Sequence, residues 1–386
     1  MFRSAQTVLV GQTLGRQPHR LFGIKPVDRL SHQFIIGQTG TGKSTLLLNQ
    51  MKQDLIAGNG YCLIDPHGDL AAALTDQVHR DVIYWDAASQ NNNCGYNPLA
   101  RVSAQFRPLV ATGLIETLRY QWKDAWGPRM ENLLRHALLA LLEYPGATIA
   151  DIMPLFLDKN FQRRVVNSVT DEHVRQFWTV EFDSMKYKGT VDGVAPIANK
   201  LGGFLAHPLI RKAMCAPEKP LRFRQIMDHG KILVVNLARG RLGSDTANIL
   251  GGLILSNLAH AAYSRQNIPE FQRGSFYAYV DEFSSFTSAV FADMLSELRK
   301  YAMGLVLAGQ YASQTDTDIF EAILGNVGTL TSFRVGARDA HILAKQFGGD
   351  IPSARDLINL PNYEMYVKMM IDGAQSKPFS ARTLKP

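Results

Sequence analysis

The chain has 386 residues, 46% of them hydrophobic and 19% charged, a balance that supports a sizeable core and excludes a disordered or fibrous protein. Its formal charge of +7 permits attraction to nucleic acid without establishing it. Cys62, Cys94 and Cys215 lie too far apart for metal-type spacing or a disulfide framework, and no apolar run reaches the roughly 18 to 20 residues that span a bilayer, so a soluble cytoplasmic chain without membrane insertion is expected.

Residues 1–27 have room for a strand or two. From residue 28 short apolar runs alternate with helical stretches: HQFII as a buried strand, KSTLLLNQMKQDLI as a helix, GYCLID and DVIYWD as further strands. That alternation predicts a mostly parallel α/β sheet. Over 97–225 the character changes to helical periodicity, as in MENLLRHALLALLEY, which predicts an all-α domain inserted between 28–96 and 226–386. Strand signals return with KILVVNL, FYAYVDEF, GLVLAGQ and TLTSFRV, and EMYVKMMID reads as the last strand of the chain.

The segment GQTGTGKS at 37–44 fits the pattern G-x-x-x-x-G-K-[ST] between a strand and a helix. Gly37, Thr39, Gly40, Thr41 and Gly42 let successive backbone N–H groups face phosphate oxygens, and the following helix, through Ser44 and Thr45, adds its positive end. Lys43 is suited to the β- and γ-phosphates of ATP, and the Ser44 hydroxyl to Mg²⁺.

The strand FYAYV ends in Asp281 and Glu282. In a phosphate-loop enzyme the first carboxylate holds Mg²⁺ and the second acts as general base on the attacking water, so the pair favours hydrolysis over a slow switch. Gln310 ends the next strand. If that strand lies between the loop strand and the acidic strand, its amide sits beside the γ-phosphate. Arg129, Arg299 and Arg334 lie near element boundaries and are candidates for touching that phosphate in cis or from a neighbouring subunit. Arg29, before the first strand, is a further candidate.

GQTGTGKST, IDPHGDL, YNPL, WGPRMENLLRHALLALLE, VDEF, LRKYAMGLVLAGQY and GNVGTLTSFRVGARDA together resemble the HerA/FtsK superfamily of P-loop ATPases. Within it they are most similar to TraG/TraD-type conjugative coupling ATPases and soluble HerA-like translocases. The resemblance runs from about Leu21 to Thr383. It implies a RecA-like ATPase domain with an inserted all-α domain, a ring that is a hexamer, nucleotides between subunits and DNA in the channel. It also implies that Arg299, eleven residues before Gln310, is the phosphate-sensing arginine. Membrane-anchored coupling proteins begin with transmembrane helices, which find no match in these residues, and residues 1–27 are expected to supply no more than a strand or two of the small β-barrel that begins HerA enzymes.

A ring motor grips phosphates without reading bases. Two loops are suited to that grip, one with Lys186 and Lys188, the other with Arg239 and Arg241. An ATP-driven DNA translocase is therefore expected, working with a relaxase, a nuclease or a secretion channel, and open to recruitment to the inner membrane by a partner. The alternatives are a type IV secretion ATPase acting on protein and an ATP-gated scaffold for a partner nuclease.

Overall fold

The short apolar runs have no polar face to give to water, so they belong in a sheet covered on both sides. A computed structural model describes residues 7–15, 20–75, 82–91, 94–100, 102–184, 193–286, 290–312, 315–349 and 351–385. Eleven strands form one sheet: β1 (Val8–Thr13), β2 (Leu21–Ile24), β3 (Gln33–Ile36), β4 (Gly60–Asp65), β5 (Val82–Asp86), β6 (Ile232–Asn236), β7 (Phe276–Val280), β8 (Met303–Gly309), β9 (Thr329–Ser332), β10 (Glu364–Lys368) and β11 (Phe379–Thr383). Their order is β2-β1-β11-β10-β9-β3-β8-β7-β4-β6-β5. The centre, from β9 through β3, β8, β7 and β4 to β6, is parallel. Beyond β9 the flank of β10, β11, β1 and β2 is antiparallel.

One expectation needs correcting. EMYVKMMID does not end the strands. The strand stops at Lys368, Met370–Ile371 and Ala374–Gln375 make a small hairpin, and the chain returns as β11 between β10 and β1. FSART buries only Ala381 and Thr383 fully, so its polar composition hid it.

The described chain clusters into two units. Unit 1 comprises Met1–Tyr84, Phe223–Leu237 and Ala261–Pro386; unit 2 comprises Trp85–Arg222 and Ala238–His260. In unit 1 the helix Lys43–Ala57 lays Leu46, Leu47 and Met51 in the same core as Ile35, Leu63, Tyr279 and Val306 of the sheet. In unit 2 the helix Pro128–Glu143 buries Leu133, Leu134, Ala137, Leu138 and Leu141 at helical spacing. His136 of that helix stacks on Phe177 with ring centroids 3.8 Å apart. Cys94–Gly95 pairs in parallel with Lys219–Pro220, which joins the two ends of the helical stretch. No helix among the described residues is long and apolar enough to cross a membrane.

Two buried polar groups fix the near end of β3. Arg29 is fully buried and makes two hydrogen bonds to Asp54, at 2.6 and 2.7 Å, and one to the Tyr279 hydroxyl at 2.7 Å. Its guanidinium lies 3.6 Å above the Tyr277 ring. A charge so desolvated is tolerable only with a partner of opposite charge, which Asp54 supplies.

His32 is also buried, with Nε2 2.8 Å from the Leu295 carbonyl and Nδ1 accepting the Leu305 N–H at 3.0 Å. That geometry demands the neutral ring protonated on Nε2, since a second proton would face the Leu305 N–H. Burial pushes its pKa down to about 4, and nearby Arg299 pushes the same way. An unfolded histidine titrates near 6.5, so the unfolded chain takes up this proton first as pH falls. Stability due to His32 is therefore complete above about pH 6.5 and is lost progressively toward pH 4, by about 3 kcal/mol over the window. Urea melts of the native chain and of His32→Gln between pH 7 and 4.5 check this: the substitution should flatten the acid slope, and an unchanged slope would contradict it.

Candidate functional site

β3 ends at Ile36 and the next helix starts at Lys43, so six residues must turn the chain at the sheet's carboxyl edge. Gly42 takes φ +121° just before the helix; a Cβ there would lie 3.0 Å from the Phe333 ring and 3.2 Å from the Tyr363 backbone. Thr41 donates its hydroxyl to the Gln38 carbonyl at 2.7 Å, tightening the curl. The Lys43 ammonium folds over the loop onto the carbonyls of Gly37 (2.5 Å) and Gln38 (3.0 Å). Burial lowers its pKa, against the opposing pull of Asp281 and Glu282.

β8 lies between β3 and β7, so Gln310 emerges between the loop and the two carboxylates. Thr39 donates to the Gln310 carbonyl oxygen at 3.1 Å, and Gln310 donates from Nε2 to Glu282 at 2.7 Å. On the far side His67 Nε2 stands 3.1 Å from the other oxygen of Glu282. Glu282 has φ +47°, a left-handed conformation that costs a non-glycine residue about 1 kcal/mol or more. Phe283 holds it there: buried, it packs edge-on against Phe34 at 5.5 Å between centroids. Gly309 makes the room, because a Cβ on it would lie 2.8 Å from the Phe283 ring. The sequences DEF and GQ are thus halves of one packing arrangement that sets Gln310 against Glu282.

Asp281 sits beside Glu282 with its pKa pushed up to about 6, first by burial and then by Asp65 and Glu282, against Lys43. Asp65 is committed elsewhere: it accepts the N–H groups of His67 (3.0 Å), Gly68 (2.9 Å) and Ala71 (2.9 Å), ordering the loop and capping the helix Asp69–Thr75. The result is a cleft of about 380 Å³ lined by Gly40, Lys43, Ser44, Thr45 and the Asp281, Glu282 and Gln310 side. It pairs a concave run of backbone donors and one cation with a surplus of carboxylate. A phosphate chain fits the first, and a divalent cation fits the second.

The arginines divide differently from the sequence expectation. Arg29 is no trans finger, because it is sealed beneath the sheet by Asp54 and Tyr279. Arg334 faces its own chain: Nε reaches Gln38 at 3.3 Å, Nη1 the Leu360 carbonyl at 3.1 Å and Nη2 Asn362 at 2.9 Å. It braces the loop, with each guanidinium nitrogen bonded within its own chain. Arg299 is exposed just before β8, near His32 at the opposite end of β3 from the loop. Seven residues of strand put it about 20 Å from Gln310, too far to act on its own cleft. Arg129 is exposed on the first turn of the helix Pro128–Glu143, in unit 2.

Of the expected polymer contacts, Lys186 and Lys188 lie outside the described residues. The other segment is a helical turn, Arg239–Leu242, rather than an open loop. Its Arg241 spans both oxygens of Asp86 at 2.6 and 2.8 Å, and Arg239 donates to Ser244 at 3.0 Å. His67, Tyr363 and the brace of Arg334 were not singled out as site residues from the sequence. Of these, only the first lay in a segment that the resemblance had drawn on, IDPHGDL.

No family model and no curated protein matches the chain. Solved structures do. The plasmid coupling protein TrwB, in complex with the non-hydrolysable ATP analogue ADPNP, is 15% identical with a TM-score of 0.67, over 100% of this chain and 90% of that one. TrwB in complex with ADP and Mg²⁺ is 15% identical with a TM-score of 0.66, over 94% and 88%. VirB4 of Thermoanaerobacter pseudethanolicus is 13% identical with a TM-score of 0.68, over 100% and 98%. At such identities the likeness speaks for the fold, which is the α/β P-loop NTPase fold of TrwB and VirB4, along almost the whole chain.

Proposed function

We propose that the chain is an ATP-hydrolysing motor that assembles as a ring, of six copies by the sequence resemblance, and drives DNA through its centre. The observation that carries the enzymatic half is the unbroken line Thr39–Gln310–Glu282 across the mouth of a glycine loop that also holds Lys43. The crystallised complexes of TrwB with ADPNP and with ADP and Mg²⁺ support the same reading. In it the segment 97–225 is an inserted helical domain, and the motor works in the cytoplasm.

The backbone N–H groups of 39–44 and the Lys43 ammonium bind the triphosphate and neutralise charge growing on its outer oxygens. Among the described residues no cluster of three His, Cys, Asp or Glu is set to hold a metal alone. That suits Mg²⁺, which is usually shared with substrate phosphates and water. Ser44 and Asp281 would hold it, and it would draw charge from the phosphate oxygens. Gln310 orients a water, Glu282 takes its proton, and the water oxygen bonds to the γ-phosphorus as the bond to the bridging oxygen breaks, giving ADP and phosphate. Arg299 serves the cleft of the adjoining copy, since its own is out of reach.

Lys43→Ala should lose most nucleotide affinity, whereas Glu282→Gln should keep it and lose at least about a hundredfold in turnover. Calorimetry alongside phosphate release checks both, and a Glu282→Gln chain that turns over normally removes that residue from its role. Double- or single-stranded DNA should raise the ATPase rate at low salt, and the gain should fade as salt rises, because phosphate contacts release counterions. A rate indifferent to DNA yet raised by a protein partner would favour the secretion alternative. Arg299→Ala and Lys43→Ala, each inactive alone, should regain turnover when mixed, because some clefts then join an intact Lys43 to a neighbour's Arg299. Mixtures that stay inactive despite subunit exchange would deny Arg299 its role in trans.

A further inference from the structure

Tyr363 combines a rigid backbone with an open ring. Its φ is +68°, a conformation costly to a tyrosine, yet its side of the cleft is fastened at several points. Its N–H donates to the Thr41 carbonyl of the phosphate loop at 2.7 Å, and its own carbonyl accepts the Thr383 N–H of β11 at 2.9 Å. Arg334 grips the segment just before it through the Leu360 carbonyl and the Asn362 side chain while also reaching Gln38. The ring lines the cleft beside Gly42, where a Cβ would already lie 3.2 Å from Cδ1, and the residue remains 49% exposed.

The fold says which end of a nucleotide comes here. The reacting end is fixed by Gln310, Asp281 and Glu282, which follow β8 and β7 on one side of β3. A triphosphate laid along the loop must therefore carry its nucleoside toward the other side, where β9 and β10 lie, and Tyr363 immediately precedes β10. An aromatic ring held on a fixed backbone loses little freedom when a flat partner docks on it. Stacking also accepts any base, since each has a π-face.

We infer that Tyr363 is the platform on which the base of the bound nucleotide stacks, so that the cleft selects a nucleoside triphosphate by the flat face of its base. This rests on the nucleotide reading of the cleft given above. The ring, rather than its hydroxyl or its bulk, is the working part.

The test is calorimetric titration of the whole chain with ATP and with inorganic tripolyphosphate, each with magnesium, using the unaltered protein, Tyr363→Phe and Tyr363→Leu. ATP should bind about tenfold more weakly to Tyr363→Leu, equivalent to 1.4 kcal/mol. Tyr363→Phe should match the unaltered chain, and tripolyphosphate should bind all three equally. Equal losses of ATP and tripolyphosphate in Tyr363→Leu would make the residue a brace of the loop and overturn the platform. So would no loss of ATP in that variant, or an equal loss in Tyr363→Phe. An unaltered chain that binds ATP no more tightly than tripolyphosphate would refute the platform alone. One that binds neither would bring down the nucleotide reading and the platform together.

Discussion

The distance between Lys43 and the carboxylates at 281 and 282 is set by strand order. Placing β8 between β3 and β7 leaves one strand's width, about 5 Å on either side, between the cation-bearing loop and the acidic edge. Gln310, at the end of the strand between, is the side chain that can span the gap, and it does so with a bond to each side. With two strands between, neither could share a ligand with the other. Parallel pairing matters equally, because it brings all three strand ends to the same edge, where the helix Lys43–Ala57 also presents its positive end.

Holding that edge open costs conformational strain, and the core absorbs it. Glu282 and Tyr363, on the two sides of the loop, both have left-handed backbones. Each is enforced by a neighbour locked into buried packing: Phe283 against Phe34 for the first, and the grip of Arg334 with the strand β11 for the second. Charge is treated similarly. Asp281, Glu282 and Asp65 crowd together with one lysine to offset them, and Asp65 is quieted by three backbone donors. The surplus left on Asp281 is what a bound cation would relieve.

Much of this could be read along the chain. The glycine loop, the acidic pair and Gln310 carry their chemistry in local patterns, and the alternation of short apolar runs with helices gave the parallel centre. What escaped has a common physical cause: it depends on partners distant in sequence. Arg29 sits shortly before the loop strand and looked available, but Asp54 and Tyr279, the latter 250 positions away, enclose it. Arg334 was equally ambiguous until Gln38, Leu360 and Asn362 met around it. FSART has too few apolar residues to announce a strand, yet it pairs on both edges. Tyr363 is a tyrosine in a turn until the fold sets it against Thr41.

The central claim is that one cleft holds a triphosphate and its magnesium between Lys43 and Ser44 on one wall and Asp281 and Glu282 on the other. An electron cryomicroscopy map of the assembled chain with magnesium and a non-hydrolysable ATP analogue addresses it directly. The account predicts triphosphate density along 39–44, with a metal peak between the Ser44 hydroxyl and Asp281. Nucleotide density elsewhere, or a cleft that stays empty at saturating analogue, would contradict it.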